Sequence, residues 1–215
     1  MPKVYLDYAA TTPVDPKVFR AMRPYLKKEF GNASSIHIFG QKALAAIDDA
    51  RNKIAEFLGA EASEVIFTGS ATEANNMAIF GLAKRGDHII TSKIEHHAIF
   101  EPCGALEKRG VEVTYLPVNK DGLVSVSEVE KAIKPNTVLV SIMYANNEIG
   151  TIQPIVEIGE LLKTRKSENQ KTRIYFHTDA VQAANYLDCD VKKLGVDLLT
   201  LSAHKIYGPK GVGAL

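Results

Sequence analysis

Short strand-type segments alternate with helix-type segments along most of the chain, and this alternation constrains the fold more than any other feature of the sequence. The predicted strands cover 65–68, 88–91, 111–116, 138–143, 173–177 and 197–201. Apolar strands separated by amphipathic helices are typical of a parallel sheet, because each crossover connection lays a helix against one face. The sequence therefore predicts an α/β fold in which helices cover both faces of a mostly parallel central sheet.

Local signals predict where several helices begin and end. Asp15 followed by Pro16 is typical of an N-cap and a first helical residue. Gly59 follows a segment with apolar residues at helical spacing and is expected to end that helix. The segments 70–73 and 125–128 both have the spacing of a capping box, so a helix is expected to start at each.

Two segments in the second half of the chain depart from the simple alternation. The helix predicted after Pro154 runs into the polar segment 165–172, which we interpret as a solvated helix end and loop. The last residues, 211–215, read as the opening of a further strand. A fold that stops inside an apolar segment lacks a closing element, so we expect the 215 residues to be a fragment of a longer chain.

Charge and composition exclude several classes of partner. The chain has 26 Lys and Arg residues against 25 Asp and Glu residues, and this balance gives no global reason to expect a nucleic acid or an anionic membrane surface. No apolar run approaches the roughly 20 residues of a membrane helix, and the N-terminus lacks the apolar stretch of a signal peptide. Two cysteines are too few for a disulfide framework, so we expect a soluble cytoplasmic protein.

Groups able to bind a ligand follow five of the predicted strands at the point where each strand ends. In open parallel sheets ligands bind beyond the carboxyl ends of the strands, so these groups are expected to surround one site. They are Ser70, Ala71 and Thr72; Glu95, His96 and His97; Asn146, Asn147 and Glu148; Asp179 and Gln182; and Ser202, His204 and Lys205.

The segment 69–72 has the properties of a phosphate site. It offers backbone N–H groups, a hydroxyl and the positive end of a helix dipole. Ser202 and His204 are candidates for further donors to the same phosphate. Helix capping explains the segment equally well at this point, and each of the two candidate donors is also consistent with an ordinary loop residue.

Asp179 and Lys205 emerge at the ends of two apolar strands. A buried carboxylate requires a cation or several donors, so Asp179 is either a ligand-binding acid or part of a structural salt bridge or cap. A desolvated lysine can form a Schiff base with a carbonyl compound, although lysine usually lies on the surface. His96 is suited to stacking on an aromatic ligand or to moving a proton. The adjacent His97 points elsewhere, so no metal site is predicted.

A phosphate cradle, a buried acid and a lysine at one sheet edge match the needs of pyridoxal 5′-phosphate. This cofactor needs an anchored phosphate, an acid beside its ring nitrogen and a lysine for its aldehyde. No Gly-x-Gly-x-x-Gly segment follows the first strand and no Walker-type loop is present, which disfavours a nucleotide site.

Seven segments resemble those of the cysteine desulfurases, a class-V aminotransferase-like family that uses pyridoxal phosphate. They are YLDYAATTP at 5–13, GNASSIH at 31–37, TGSATEANN at 68–76, EHHA at 95–98, NNEIGTIQP at 146–154, HTDAVQ at 177–182 and SAHKIYGPKG at 202–211. They occur in order along the whole chain and are far more specific together than any one alone. The resemblance implies the fold-type-I architecture of pyridoxal phosphate enzymes.

The resemblance also implies roles for the residues at this edge. Lys205 would hold the cofactor aldehyde as a Schiff base and move protons, and Asp179 would pair with the ring nitrogen. His96 would stack on the ring and serve in proton transfer. Gln182 would contact the phenolic oxygen, and Asn146 would contact that oxygen or the substrate carboxylate. The phosphate contacts would come from Ala71, Thr72, Ser202 and His204.

The activity implied by the resemblance is the conversion of L-cysteine to L-alanine. A cysteine thiolate of the enzyme takes the sulfur as a persulfide, and a sulfur-acceptor protein carries it to iron–sulfur cluster assembly or tRNA thiolation. The family works as a homodimer. Its reactive cysteine and its substrate-binding arginine would lie beyond Leu215. Cys103, in a predicted helix, and Cys189, between two acids that raise a thiol pKa, do not fit that nucleophile.

The family pattern divides the chain into two parts. The segment 1–15 is expected to pack with a small domain, and 16–215 form the cofactor-binding large domain, incomplete at its C-terminus and without the small C-terminal domain. We expect the 215 residues alone to be inactive. Two alternatives stay open: a selenocysteine lyase or another class-V aminotransferase-like enzyme, and a truncated protein that binds the cofactor or docks to a partner without catalysis.

Overall fold

The computed structural model describes residues 2–167 and 173–215, with the backbone alone for 165–167, and the strands within them form one mixed sheet. The strands are β1 Phe67–Thr68, β2 His88–Ser92, β3 Glu112–Leu116, β4 Thr137–Ser141, β5 Tyr175–Asp179, β6 Leu198–Ser202 and β7 Gly213–Ala214. Their order across the sheet is β1-β7-β6-β5-β4-β2-β3, and β6, β5, β4, β2 and β3 pair in parallel. The predicted α/β fold with a mostly parallel sheet is confirmed.

Helices cover both faces of this sheet. They are α1 Pro16–Lys27, α2 Ile38–Leu58, α3 Ala71–Leu82, α4 His97–Glu107, α5 Val126–Ala132, α6 Ile155–Ser167 and α7 Val191–Leu194. Successive side chains of a strand point to opposite faces. Ile89 of β2 therefore lies in one core cluster with Ile79 of α3 and Ile99 of α4, whereas Ile90 lies in another with Ile158 of α6. None of the helices described is long and apolar enough to span a membrane.

The local signals place three helix ends correctly. The Asp15 carboxylate accepts a hydrogen bond from the Lys17 N–H at 2.6 Å and caps α1. Gly59 ends α2 with a φ of 63°, a left-handed conformation that costs glycine little. The Ser70 hydroxyl accepts from the Glu73 N–H at 3.1 Å and caps α3.

Other boundaries differ from the predictions. The helix predicted to open at 125–128 does so as α5, with Ser125 at its N-cap, but the predicted capping box does not form. The Ser125 hydroxyl bonds to the Ser127 hydroxyl at 2.8 Å and makes no capping hydrogen bond. Strand β1 is shorter than the predicted 65–68, and α7 was not predicted. Of the polar segment predicted at 165–172, residues 168–172 lie outside the described residues, and 165–167 belong to the end of α6.

The strand predicted at 211–215 is present as β7. Although it is the last strand in the chain, it does not lie at an edge of the sheet. It lies between β1 and β6 and runs antiparallel to both. Ile66 and Leu215 extend the β1 pairing with two backbone hydrogen bonds of 2.8 and 2.9 Å. The residues at the end of the chain therefore attach β1, and the start of α3 that follows it, to the rest of the sheet.

The N-terminal segment, residues 2–15, is fastened to the loop that follows β6. The backbone N–H and the hydroxyl of Thr12 both donate to the His204 carbonyl, at 2.9 and 3.0 Å. The Thr12 hydroxyl in turn accepts from the Tyr207 N–H at 2.9 Å. Met1 lies outside the described residues, and the packing of 1–15 against a small domain stays a prediction.

Candidate active site

A cavity of about 300 Å³ opens at the carboxyl edge of the sheet, between the ends of β4, β5 and β6 and the first turns of α3 and α4. Its walls include Ala71, Thr72, His96, Asp179, Gln182, Ser202, His204 and Lys205, all of which the sequence placed in the site. The other lining residues are Ser70, Asn75, Ala98, Met143, Ala145, Asn147 and Val181. A larger cavity of about 620 Å³, bordered by Leu58 and Leu215, contains none of the predicted site residues.

Asn146 has a role implied by the resemblance, but this cavity does not include it. Glu95, His97 and Glu148, which were also expected at this edge, do not line the cavity either. The amide nitrogen of Asn146 donates to the Ile94 carbonyl at 2.9 Å, and its amide oxygen accepts from the backbone N–H groups of Glu148 and Ile149. It lines a neighbouring cavity of about 460 Å³ that shares His96 and Asn147 with the first. In this structure the Asn146 amide therefore organises its own loop, and a role in contacting cofactor or substrate stays a prediction.

Asp179 ends β5 as a buried acid with donors on both oxygens. Its Oδ2 accepts from the Asn75 amide at 2.8 Å, and its Oδ1 accepts from the Val181 N–H at 3.0 Å. Burial raises the pKa of Asp179, and these two bonds and the nearby His96 and Lys205 oppose that shift. Such a carboxylate gains most from a cationic ligand, because a positive charge offsets the cost of its desolvation.

Asn75 is a site residue that the sequence reasoning missed. It is fully buried on α3, and its amide oxygen has no hydrogen-bond partner among the described residues. A signal was present in the helical spacing, since Asn75 stands four residues before the core residue Ile79 and so on the buried face. A polar side chain on such a face requires a polar partner, which here is Asp179.

Lys205 is half-buried in the turn after β6, and its amine meets the N-terminal segment. The Nζ atom donates to the carbonyls of Ala9 and Ala10, the second at 2.9 Å. Burial lowers the pKa of Lys205, and the charges of Asp7 and Asp179 act in the opposite direction. A lowered pKa increases the fraction of neutral amine, which is the nucleophilic form that adds to a carbonyl carbon.

The two predicted histidines and Gln182 complete the wall around this amine. His96 caps α4, its Nδ1 accepting from the Ala98 N–H at 3.1 Å, which leaves Nε2 free to face a ligand. His204 Nδ1 lies 3.2 Å from the Thr11 hydroxyl, and burial lowers the pKa of this imidazole. Gln182 donates to the Ala9 carbonyl at 3.0 Å.

The first turn of α3 forms one corner of the cavity, with Ser70, Ala71 and Thr72 in the wall. The leading N–H groups of a helix have no acceptor within the helix and carry its positive dipole end. Gly213 of β7 packs directly under this corner: a Cβ there would stand 2.5 Å from the Ser70 carbonyl carbon and 2.8 Å from the Ala71 nitrogen. Glycine at 213 therefore allows the strand to approach the helix start.

Gly213→Ala is expected to destabilise the chain by about 1–3 kcal/mol, because the added methyl group meets backbone atoms that cannot move aside. Gly104→Ala on α4 is the matched control. A Cβ at 104 meets nothing within 4 Å, and alanine is favoured over glycine inside a helix by about 1 kcal/mol. Urea denaturation of both variants measures the change in the free energy of unfolding, which should be negative for G213A and positive for G104A. Equal stability of G213A and the unsubstituted chain would contradict the close packing at 213.

Neither cysteine has the properties of a reactive thiolate. Cys103 on α4 and Cys189 are both buried. Burial raises the pKa of the Cys103 thiol to about 12 and that of Cys189 to about 11, with Asp188 adding to the second shift. A thiol that attacks sulfur must be accessible and ionised near neutral pH, so these two are structural.

Both thiols are therefore expected to be unreactive in the folded chain. Ellman's reagent at pH 8 should label neither cysteine within minutes, and both should react after denaturation. Cys103→Ser and Cys189→Ser are expected to leave pyridoxal phosphate binding unchanged. Rapid labelling of either thiol in the native chain would contradict its burial.

The comparisons with known proteins agree on one family. The model of the family described as aminotransferase class-V matches residues 4–215. Cysteine desulfurase IscS of Dictyoglomus turgidum is 56% identical over 99% of this chain and 53% of its own length. The protein of the same name from Methanosarcina thermophila is also 56% identical, over 99% of this chain and 52% of its own length.

Solved structures give the same result. The structure described as SspA in complex with cysteine superposes with a TM-score of 0.92 at 47% identity, covering 99% of this chain and 60% of that chain. A NifS-like protein superposes with a TM-score of 0.88 at 40% identity, covering 99% and 58%. The chain thus spans about half the length of the curated relatives it matches. Since the family model covers the chain from Val4 to its last residue, the chain belongs to the class-V aminotransferase family.

Proposed function

We propose that this chain is the cofactor-binding part of a cysteine desulfurase, which converts L-cysteine to L-alanine and transfers the sulfur to an enzyme thiol. The observation that carries the proposal is the single cavity that brings together Lys205, Asp179 and the start of α3. Relatives named cysteine desulfurase at 56% identity, and the likeness to a structure solved in complex with cysteine, support L-cysteine as the substrate.

The residues of this cavity fit pyridoxal 5′-phosphate. The corner at Ala71 and Thr72, kept open by Gly213, suits a phosphate group, and Ser202 and His204 border it. The Asp179 carboxylate suits a protonated ring nitrogen, and the Lys205 amine suits an aldehyde. Bound there, this cofactor supplies an electron sink for bonds at the α-carbon of an amino acid.

The side chains of this chain would then divide the work. Lys205 would hold the cofactor aldehyde through its amine, and the neutral form of that amine would take the proton from the substrate α-carbon. Asp179 would pair with the ring nitrogen and keep it protonated. His96 would stack on the ring and serve in proton transfer. Gln182 would contact the phenolic oxygen, and Asn146 would contact that oxygen or the substrate carboxylate.

Other parts of the proposed reaction lie outside these 215 residues. The thiolate that accepts the sulfur has to come from elsewhere, because Cys103 and Cys189 are buried with raised pKa values. A sulfur-acceptor protein, a homodimeric assembly and a cytoplasmic location complete the proposal. The 215 residues alone are expected to bind the cofactor and to exchange the α-proton of L-cysteine with solvent. They are not expected to complete the reaction and release alanine.

Proton exchange at the substrate tests this function. The chain is loaded with pyridoxal phosphate in D₂O, and the α-proton signals of L-cysteine and L-selenocysteine are followed by NMR. We expect loss of the L-cysteine signal, with Lys205→Ala as the inactive control. Exchange of L-selenocysteine alone would indicate a selenocysteine lyase, and a chain that binds no cofactor and exchanges neither substrate would contradict the proposal.

A further inference from the structure

Glu95 is a buried acid for which the proposed function has no use. It stands in the short loop between β2 and α4, directly before His96. Its Oε1 accepts a hydrogen bond from the Ser92 hydroxyl at 2.7 Å and another from the Met143 backbone N–H at 2.9 Å. Its Oε2 is buried and has no partner within the described ranges.

The two donors come from two neighbouring segments at the edge of the sheet. Ser92 ends β2, and Met143 stands two residues beyond the end of β4, which is the neighbour of β2 in the sheet. The Glu95 carboxyl group therefore connects the loop after β2 to the loop after β4. Both loops contribute to the wall of the 300 Å³ cavity, the first through His96 and the second through Met143.

We propose that Glu95 is a positioning residue, whose side chain clamps the loop after β2 to the loop after β4 and thereby holds His96 and Met143 in the cavity wall. Buried groups that accept hydrogen bonds from two segments restrict the relative positions of both. The test by cofactor affinity rests on the proposed function. The test by backbone amide exchange does not depend on that function.

The surroundings keep this acid uncharged at neutral pH. Burial raises the pKa of Glu95 to about 8, although its two hydrogen bonds lower it. Of the titratable groups that face it, Asp179 of β5 raises that pKa further, Cys103 of α4 stays protonated, and His96 is its neighbour in the chain. The folded-state pKa exceeds the unfolded value of 4.5, so the stability that this acid contributes is fully present below about pH 4.5 and is lost as the pH rises from there to about 8.

Two substitutions separate the clamp from the charge. Glu95→Gln keeps the accepting oxygen and cannot ionise, whereas Glu95→Ala removes both bonds. In fluorescence titrations with pyridoxal 5′-phosphate at pH 7, we expect E95Q to stay within about threefold of the unsubstituted dissociation constant and E95A to exceed it by about tenfold. Glu157→Gln, an exposed change on α6, is the matched control. The proposal would be overturned if E95A bound the cofactor as tightly as the unsubstituted chain, or if E95Q bound it as weakly as E95A.

Amide hydrogen exchange tests the clamp without the cofactor. In the unloaded chain the Met143 amide is expected to exchange about tenfold faster in E95A than in E95Q, because its acceptor is gone. Ser92→Ala, which removes one of the two bonds, replaces E95A if that variant does not fold, and is expected to weaken cofactor binding by about threefold. Equal Met143 exchange in all variants contradicts the clamp, whereas failure of the unsubstituted chain to bind the cofactor contradicts only the proposed function.

The pH profile supplies a readout that a purely structural role would not change. Between pH 7 and 9 the cofactor affinity of the unsubstituted chain is expected to fall more steeply than that of E95Q, because Glu95 ionises in this range only in the unsubstituted chain. The two chains share Lys205 and every other titrating group, so the difference between their profiles comes from Glu95. Identical profiles for the two chains would show that ionisation of Glu95 does not reach the cavity, and would overturn the assignment of a neutral clamp.

Discussion

Lys205→Ala is expected to abolish covalent attachment of pyridoxal phosphate to the chain. Among the described residues, Lys205 is the one lysine that lines the 300 Å³ cavity, and burial lowers the pKa of its amine. After incubation with the cofactor and reduction with borohydride, peptide mass spectrometry should find the added mass on the peptide containing 205. In K205A this adduct should be lost completely, together with the visible absorbance of the loaded chain.

A lysine five residues away provides the matched control for this experiment. Lys210 is exposed and belongs to the same loop after β6. Lys210→Ala is expected to leave both the adduct and the absorbance unchanged. An adduct that persists in K205A, or that maps to Lys210 in the unsubstituted chain, would refute the assignment of the cofactor-binding lysine.

Asp179→Asn is expected to lower the affinity for pyridoxal phosphate by about a hundredfold, the cost of leaving a buried cation without its counter-charge. The packing should survive the change. An amide at 179 would present N–H where Oδ2 now accepts from Asn75, and the Asn75 oxygen, which lacks a partner in the described part of the chain, would accept that N–H after rotation.

The same substitution is expected to increase the stability of the unloaded chain at pH 7. Burial raises the pKa of Asp179, so the ionised carboxylate opposes folding at pH values above its unfolded pKa of about 4. The gain should therefore disappear as the pH falls towards 4. Urea unfolding at pH 7 and pH 4, with the exposed Asp49→Asn on α2 as control, measures it. Loss of both stability and affinity would indicate a structural acid in place of a ligand-binding one.

Local chemistry explains why some of this molecule could be predicted from sequence. Asp15 and Gly59 act through hydrogen bonds and backbone angles within a few residues, so their signals are readable in the chain. The order of strands could not be read in this way. The pairing of β7 with β1 joins Phe67 to Ala214 and Thr68 to Gly213, which are far apart in the sequence, and no local pattern encodes that choice.

The same distinction between local signals and long-range contacts holds for the site. Asp179 and Lys205 were predictable because each follows an apolar strand, and the carboxyl ends of parallel strands share one edge. Asn75 and Glu95 were not assigned roles, because their importance depends on partners that are distant in sequence, Asp179 and Met143.

The place of β7 in the sheet has a consequence for biosynthesis. A ribosome releases β1 and α3 early, yet β1 gains its neighbour in the sheet only when residues 213 and 214 have emerged. Until then the start of α3 lacks the strand that packs beneath it. This corner of the cavity is therefore completed late in synthesis, and a nascent chain paused before residue 213 would carry Lys205 but not the strand that packs beneath the corner.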